Sequence, residues 1–125
     1  MTTETIKVFD VKKLQQVCNP FNDVLWGLSK PISKIEIDQA VLDYNLVRPN
    51  ERYPAYRKEH IGRIAWYYVY GSSSPIALDF SEPTYSGSPI TKGTHQFMAA
   101  IYRGDKTIRG VATGQEVEIN KYLAK

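Results

Sequence analysis

Cysteine is nearly absent from this chain. Cys18 is the only one in 125 residues, so no internal disulfide can form and nothing points to an oxidising compartment. Histidine is almost as scarce. His60 and His95, with Cys18, are too few and too widely spaced for a zinc signature, so no metal site is expected. Long apolar runs are missing too: none approaches the roughly 20 residues that a membrane-spanning helix needs. The opening MTTETIKVFD lacks the apolar centre of a secretory signal. These absences lead to the expectation of a cytoplasmic protein. A strong charge of one sign is absent as well. The formal net charge of +3 does not by itself imply nucleic acid.

What is present suits one globular domain. The hydrophobic fraction of 42% is enough for a core. Nine tyrosines are unusual at this length, and tyrosine combines an apolar ring with a hydroxyl, which suits half-wet surfaces and base stacking.

The order of elements follows from periodicity. Met1 to Lys7 is polar and expected to be loose. Asp10 is placed to cap a helix over Val11 to Cys18, with Val11, Leu14, Val17 and Cys18 on one face. The stretch Asn22 to Ser29 fits no single template. Pro31 to Asp38 alternates apolar and polar residues and is read as a strand around Lys34 to Ile37. A helix is expected over Ala55 to Tyr70, with Ile61, Ile64, Ala65 and Tyr68 as its buried stripe. Pro75 to Phe80 reads as a buried strand, and Ser88 to Lys92 as another. Gln96 to Arg103 reads as a helix closed by Gly104, Lys106 to Thr113 as a strand, and the tail after Val117 as a short strand or helix. The fold class expected is α+β, a small mixed β-sheet flanked by helices. Residues 1–30 form a helical segment packed on a domain spanning 31–125.

The turn between the last two strands carries the clearest functional signal. Gly93, Thr94, His95 and Gln96 stand where a helix begins. First-turn amides lack intrahelical acceptors and carry partial positive charge, which favours an anion. His60, beside Glu59, has no partner at a telling spacing and is read as a surface or partly packed residue. Asp79 and Glu82 are weak metal-ligand candidates near a strand end. Trp66, Tyr67 and Tyr70 spread around the long helix, which points either to packing on two faces or to a surface for a protein partner.

These pieces, in this order, resemble the ParB/sulfiredoxin-like superfamily. Pro31-Ile32-Ser33-Lys34-Ile35 is similar to its first strand and Pro75-Ile76-Ala77-Leu78 to a later one. Gly93-Thr94-His95-Gln96-Phe97-Met98-Ala99-Ala100 is similar to its glycine–histidine turn and helix, and Gly104-Asp105-Lys106-Thr107-Ile108-Arg109 to the junction that follows. The resemblance covers roughly 31–113. It implies that the turn binds phosphate groups of a nucleotide or nucleic acid. Lys92, Gly93, Thr94, His95 and Gln96 would form the site, with Arg48 and Arg52 as a cationic wall. It also implies a phage or plasmid accessory protein. A nucleotide with a divalent metal is the cofactor such relatives would suggest.

Three departures limit it. Lys92 stands where many relatives carry an acidic residue, which adds a positive charge but removes a possible base or metal ligand. Gln96 replaces the usual arginine and offers a neutral hydrogen bond in place of a bidentate cation. Thr94 stands where sulfiredoxins carry their reactive cysteine, so that chemistry is rejected. The leading expectation is a phosphate-ligand binding domain for nucleic acid or nucleotide. One alternative is a protein–protein interaction module (an inhibitor or adaptor) with a degenerate site. Another is a small nuclease or nucleotide-dependent phosphotransferase using His95 as its candidate catalytic group.

Overall fold

Two parallel strands form the centre of the sheet. In a computed structural model, which describes residues 5–49, 53–72, 74–81 and 89–124, Ile76–Phe80 (β2) runs parallel to Thr107–Gly114 (β4). Ile6–Asp10 (β1) pairs antiparallel with β4, and Ile90–Lys92 (β3) pairs antiparallel with β2, so the order is β1-β4-β2-β3. The remaining elements are Val11–Val17 (α1), Lys34–Leu42 (α2), Arg57–Tyr70 (α3), Thr94–Arg103 (α4) and Glu116–Asn120 (α5). This is an α+β domain with a mixed four-stranded sheet. No helix among the described residues is long and apolar enough to cross a membrane.

The side-chain period of two decides which sheet face is covered. Phe9, Ile76, Leu78, Phe80 and Ile90 point inward. They meet Leu14 of α1, Phe97, Ala100 and Ile101 of α4, and Ile119 of α5 in one apolar cluster. A second cluster joins Ile37 and Ala40 of α2, Ile61, Ile64 and Ala65 of α3, and Met98 and Ala99 of α4. Helix α4 therefore stands between the sheet and helices α2 and α3 and contributes to both clusters.

Several expected elements are found. Asp10 caps α1, accepting from the Lys13 amide at 2.9 Å. Helix α3, strands β2 and β4, and the left-handed Gly104 that closes α4 lie where periodicity placed them. Two readings are corrected. Ile6 and Lys7 belong to strand β1, so the segment before residue 30 supplies a sheet edge as well as α1.

The second correction concerns Lys34 to Ile37, which is helical. Ser33 and Glu36 form a capping box: Ser33 Oγ accepts from the Glu36 amide, and a Glu36 carboxylate oxygen accepts from the Ser33 amide. Ile32 and Ile37, before and after that box, are both buried in the second cluster, as in a hydrophobic staple. Ile35, counted in the alternation, is exposed.

Glu36 also holds the neighbouring helix. Its carboxylate accepts from Arg57 Nε at 2.7 Å and Nη2 at 2.6 Å, and Arg57 donates onward to the carbonyls of Lys30 and Pro31. The Arg57 hydrogen bond holds the Glu36 carboxyl down at about 2. Ser33→Ala should therefore cost about 1 kcal/mol in urea unfolding. Glu36→Ala should cost more, because it removes the cap partner and the anchor of Arg57 together. Equal and negligible losses would contradict a helix starting here.

Candidate functional site

Strand β3 sets Lys92 opposite Ala77, and the chain then turns into α4 through Gly93. Gly93 has φ 98°, and a Cβ there would lie 2.6 Å from Ile76 Cγ2 and 3.0 Å from Gln96 Oε1. Both the left-handed backbone and the close approach to β2 require glycine. No side chain caps the first turn of α4, and Lys92 is exposed beside it. Gln96 does not extend into solvent. Its Nε2 donates to Ser72 Oγ at 2.6 Å and to the Ser74 carbonyl at 2.9 Å, so it clamps the connection from α3 to β2. The Arg48 carbonyl accepts from Arg63 Nη2 at 3.3 Å, and Arg52 lies outside the described residues.

His95 meets a partner whose local sequence suggests a surface or partly packed position. His60, in the first turn of α3, is buried at 2% exposure, and His95, in the first turn of α4, at 8%. His60 Nδ1 and His95 Nε2 are 2.9 Å apart, the rings are within 4° of coplanar, and the ring centres are 5.2 Å apart. That separation equals the nitrogen–nitrogen contact plus two ring radii. Both nitrogens therefore lie on the line between the centres, and one N–H points straight at one lone pair. This alignment leaves no room for a shared metal ion.

Burial holds both imidazoles in the neutral form. Desolvation drives His95 down to about 3, with His60 and the Arg63 guanidinium adding to it. His60 is lowered by desolvation and by Arg63, partly opposed by Glu59. The positive ends of two helices, α3 and α4, act in the same direction.

An indole covers the pair. Trp26 stacks on His60 and on His95, each at 4.3 Å between ring centres and within 9° of parallel, while Tyr53 meets both rings edge-on. Trp26 and Gly27 both have positive φ, and the Leu28 amide donates to the Leu25 carbonyl at 2.9 Å. This is a turn with two left-handed central residues, whose first such position favours Asn, Asp or Gly. A left-handed bulky residue costs about 1–2 kcal/mol. Two aromatic contacts worth about 0.5–1.5 kcal/mol each offset that cost.

A cleft opens along the other side of α4. It holds about 190 Å³ and is lined by Ser72, Gln96, Arg103, Thr107 and Arg109 among others. Arg103 is fixed by Asp105, 2.7 Å from Nη2, and by the Tyr67 and Tyr68 carbonyls at 3.1 Å. A shallow groove of about 600 Å³ adjoins it, lined by Pro49, Trp66, Tyr67 and Tyr70, and Tyr67, Ser72 and Ser74 border both. Tyr70 is 55% exposed, and its hydroxyl is hydrogen-bonded to that of Tyr44.

Asp79 accepts from the Ser81 amide and the Thr113 hydroxyl, and Glu82 lies outside the described residues. Among the described residues no group of three or more acidic, histidine or cysteine side chains could hold a metal. Compared with known proteins, the chain matches no protein-family model, no curated protein and no solved structure.

His60→Ala should cost about 3 kcal/mol in urea unfolding at neutral pH, since it removes buried ring contacts and orphans His95 Nε2. Adding His95→Ala should cost less than it does alone, with a coupling of at least about 1 kcal/mol. Additive losses would contradict the pair.

Stability should also depend on pH. The folded pair binds fewer protons than the unfolded chain, so this contribution is complete above about pH 6.5 and is lost as pH falls. The slope should be about 1.4 kcal/mol per pH unit for each proton excluded. A flat stability profile between pH 7 and 5 would contradict neutral, buried rings.

Proposed function

We propose that this chain binds a phosphate-bearing ligand with an unstacked base, a nucleotide or single-stranded nucleic acid, along α4. The observation that carries this reading is the continuity of the aromatic groove at Trp66 and Tyr70 with the polar cleft at Gln96, Arg103 and Arg109. Aromatic faces stack bases of any sequence, and cations and hydroxyls hold the backbone that joins them. The uncapped first turn of α4 and the exposed Lys92 add donors and positive charge at one end of the same helix.

The reading also includes kinship with the ParB/sulfiredoxin-like superfamily and a role as a phage or mobile-element accessory protein. Support for the kinship comes from the order β2, β3, glycine turn, α4 and β4. The segment Pro31–Ile35, which that resemblance takes as a strand, opens helix α2. The proposed role of His95 changes accordingly. It positions the start of α4 through His60 and does not supply charge to the ligand.

Titration of a labelled single-stranded oligonucleotide, its duplex and free nucleotides at several salt concentrations tests the proposal. Affinity should fall steeply as salt rises. Trp66→Ala should weaken single-strand binding about tenfold or more. Arg109→Ala should reduce the salt slope by about one. Absence of binding to all these ligands at low salt would overturn it and favour a protein partner at Trp66, Tyr67 and Tyr70.

A further inference from the structure

We propose that the Leu25–Leu28 turn is an acid-released latch, held shut by stacking of Trp26 on the hydrogen-bonded His60–His95 pair. The argument begins with hydrogen counting. Two neutral imidazoles bring two ring hydrogens, one of which occupies the bond between them. A third can be added at an outward nitrogen while the bond survives. A fourth sets N–H against N–H on the line between the ring centres, and the bond is lost. Release therefore takes up more than one proton and is steeper than a single titration.

The surroundings set where this happens. Arg63 and Glu59 on α3 are the charges acting on the pair, the first opposing protonation and the second favouring it at His60. Tyr53, from the segment before α3, lies nearly perpendicular to both rings, 5.9 and 6.3 Å between centres. The latch turn, Leu25-Trp26-Gly27-Leu28, carries no ionisable side chain. Helix α4 contributes none in its first two turns beyond His95 itself.

The latch has a reason to open once the rings part. Trp26 occupies a left-handed conformation at a turn position that suits asparagine or glycine. Its stacking on the coplanar imidazoles helps to offset that strain, so loss of that surface favours relaxation of the backbone. Leu25, Trp26 and Leu28 lie against the apolar cluster of α2, α3 and α4, and opening bares that part of it. The same chain would then present an apolar surface in acid that it hides at neutral pH.

The test uses Trp66→Phe, which leaves Trp26 as the sole tryptophan. Acrylamide quenching of Trp26 and far-UV circular dichroism are followed together from about pH 8 to about pH 4. The expected result is a severalfold rise in quenching, with unchanged helix signal, at a pH below the free-imidazole value of about 6.5 and above the lowered values of the closed pair. The same rise should be absent when His60→Phe and His95→Phe are added, since phenyl rings stack without titrating.

Should that variant not fold, amide hydrogen exchange on the unaltered chain decides the matter. The Leu28 amide, bonded to Leu25, should lose protection at a higher pH than the amide of Ile64, after correction for the intrinsic pH dependence of exchange. Quenching that rises only in step with loss of helix, or that persists in the phenylalanine variant, would overturn the latch. So would loss of Leu28 and Ile64 protection at one common pH.

Discussion

A single hydrogen shared between His60 Nδ1 and His95 Nε2 fixes one end of the contact between α3 and α4. Both histidines occupy first turns, so the bond brings the starts of the two helices together. The opposite ends also meet: Tyr68 packs edge-on against Tyr102, and Arg103 donates to the carbonyls of Tyr67 and Tyr68. The helices thus run side by side with like ends adjacent. Two buried imidazoles would be costly alone. Paired and neutral they satisfy one another, and the flat surface they form together is wide enough for an indole.

Helix α4 carries the consequences across the molecule. Phe97, Ala100 and Ile101 pack on the sheet, while Met98 and Ala99 pack on α2 and α3. Gln96 and Arg103 grip the connection that follows α3 and the end of α3 itself. The aromatic groove and the polar cleft are walls of that arrangement. Their continuity depends on the relative placement of α3 and α4, which the histidine bond sets at one end and Arg103 at the other.

Much of this was legible in the sequence, and the gaps have physical causes. The apolar spacing of α1, α3 and α4 and the short apolar runs of β2 and β4 reported their elements because burial follows periodicity. Pro31 to Asp38 misled because three isoleucines imitated alternation. The Ser33–Glu36 capping box was the competing signal, and it prevailed because it satisfies helix-start donors and anchors Arg57. Gly93 and the start of α4 were found from the glycine turn. The pairing of His60 with His95 spans 35 residues and leaves no local trace. Trp26-Gly27 was opaque for a related reason: its turn type contradicts the preference of tryptophan and is sustained by long-range stacking and packing.

The account is tested most directly by nitrogen-15 magnetic resonance of the unaltered protein labelled in its histidine rings. A scalar coupling between His60 Nδ1 and His95 Nε2 at neutral pH, with one hydrogen between them, is the result the geometry requires. Two rings with no coupling, each exchanging its hydrogens independently with water, would contradict it.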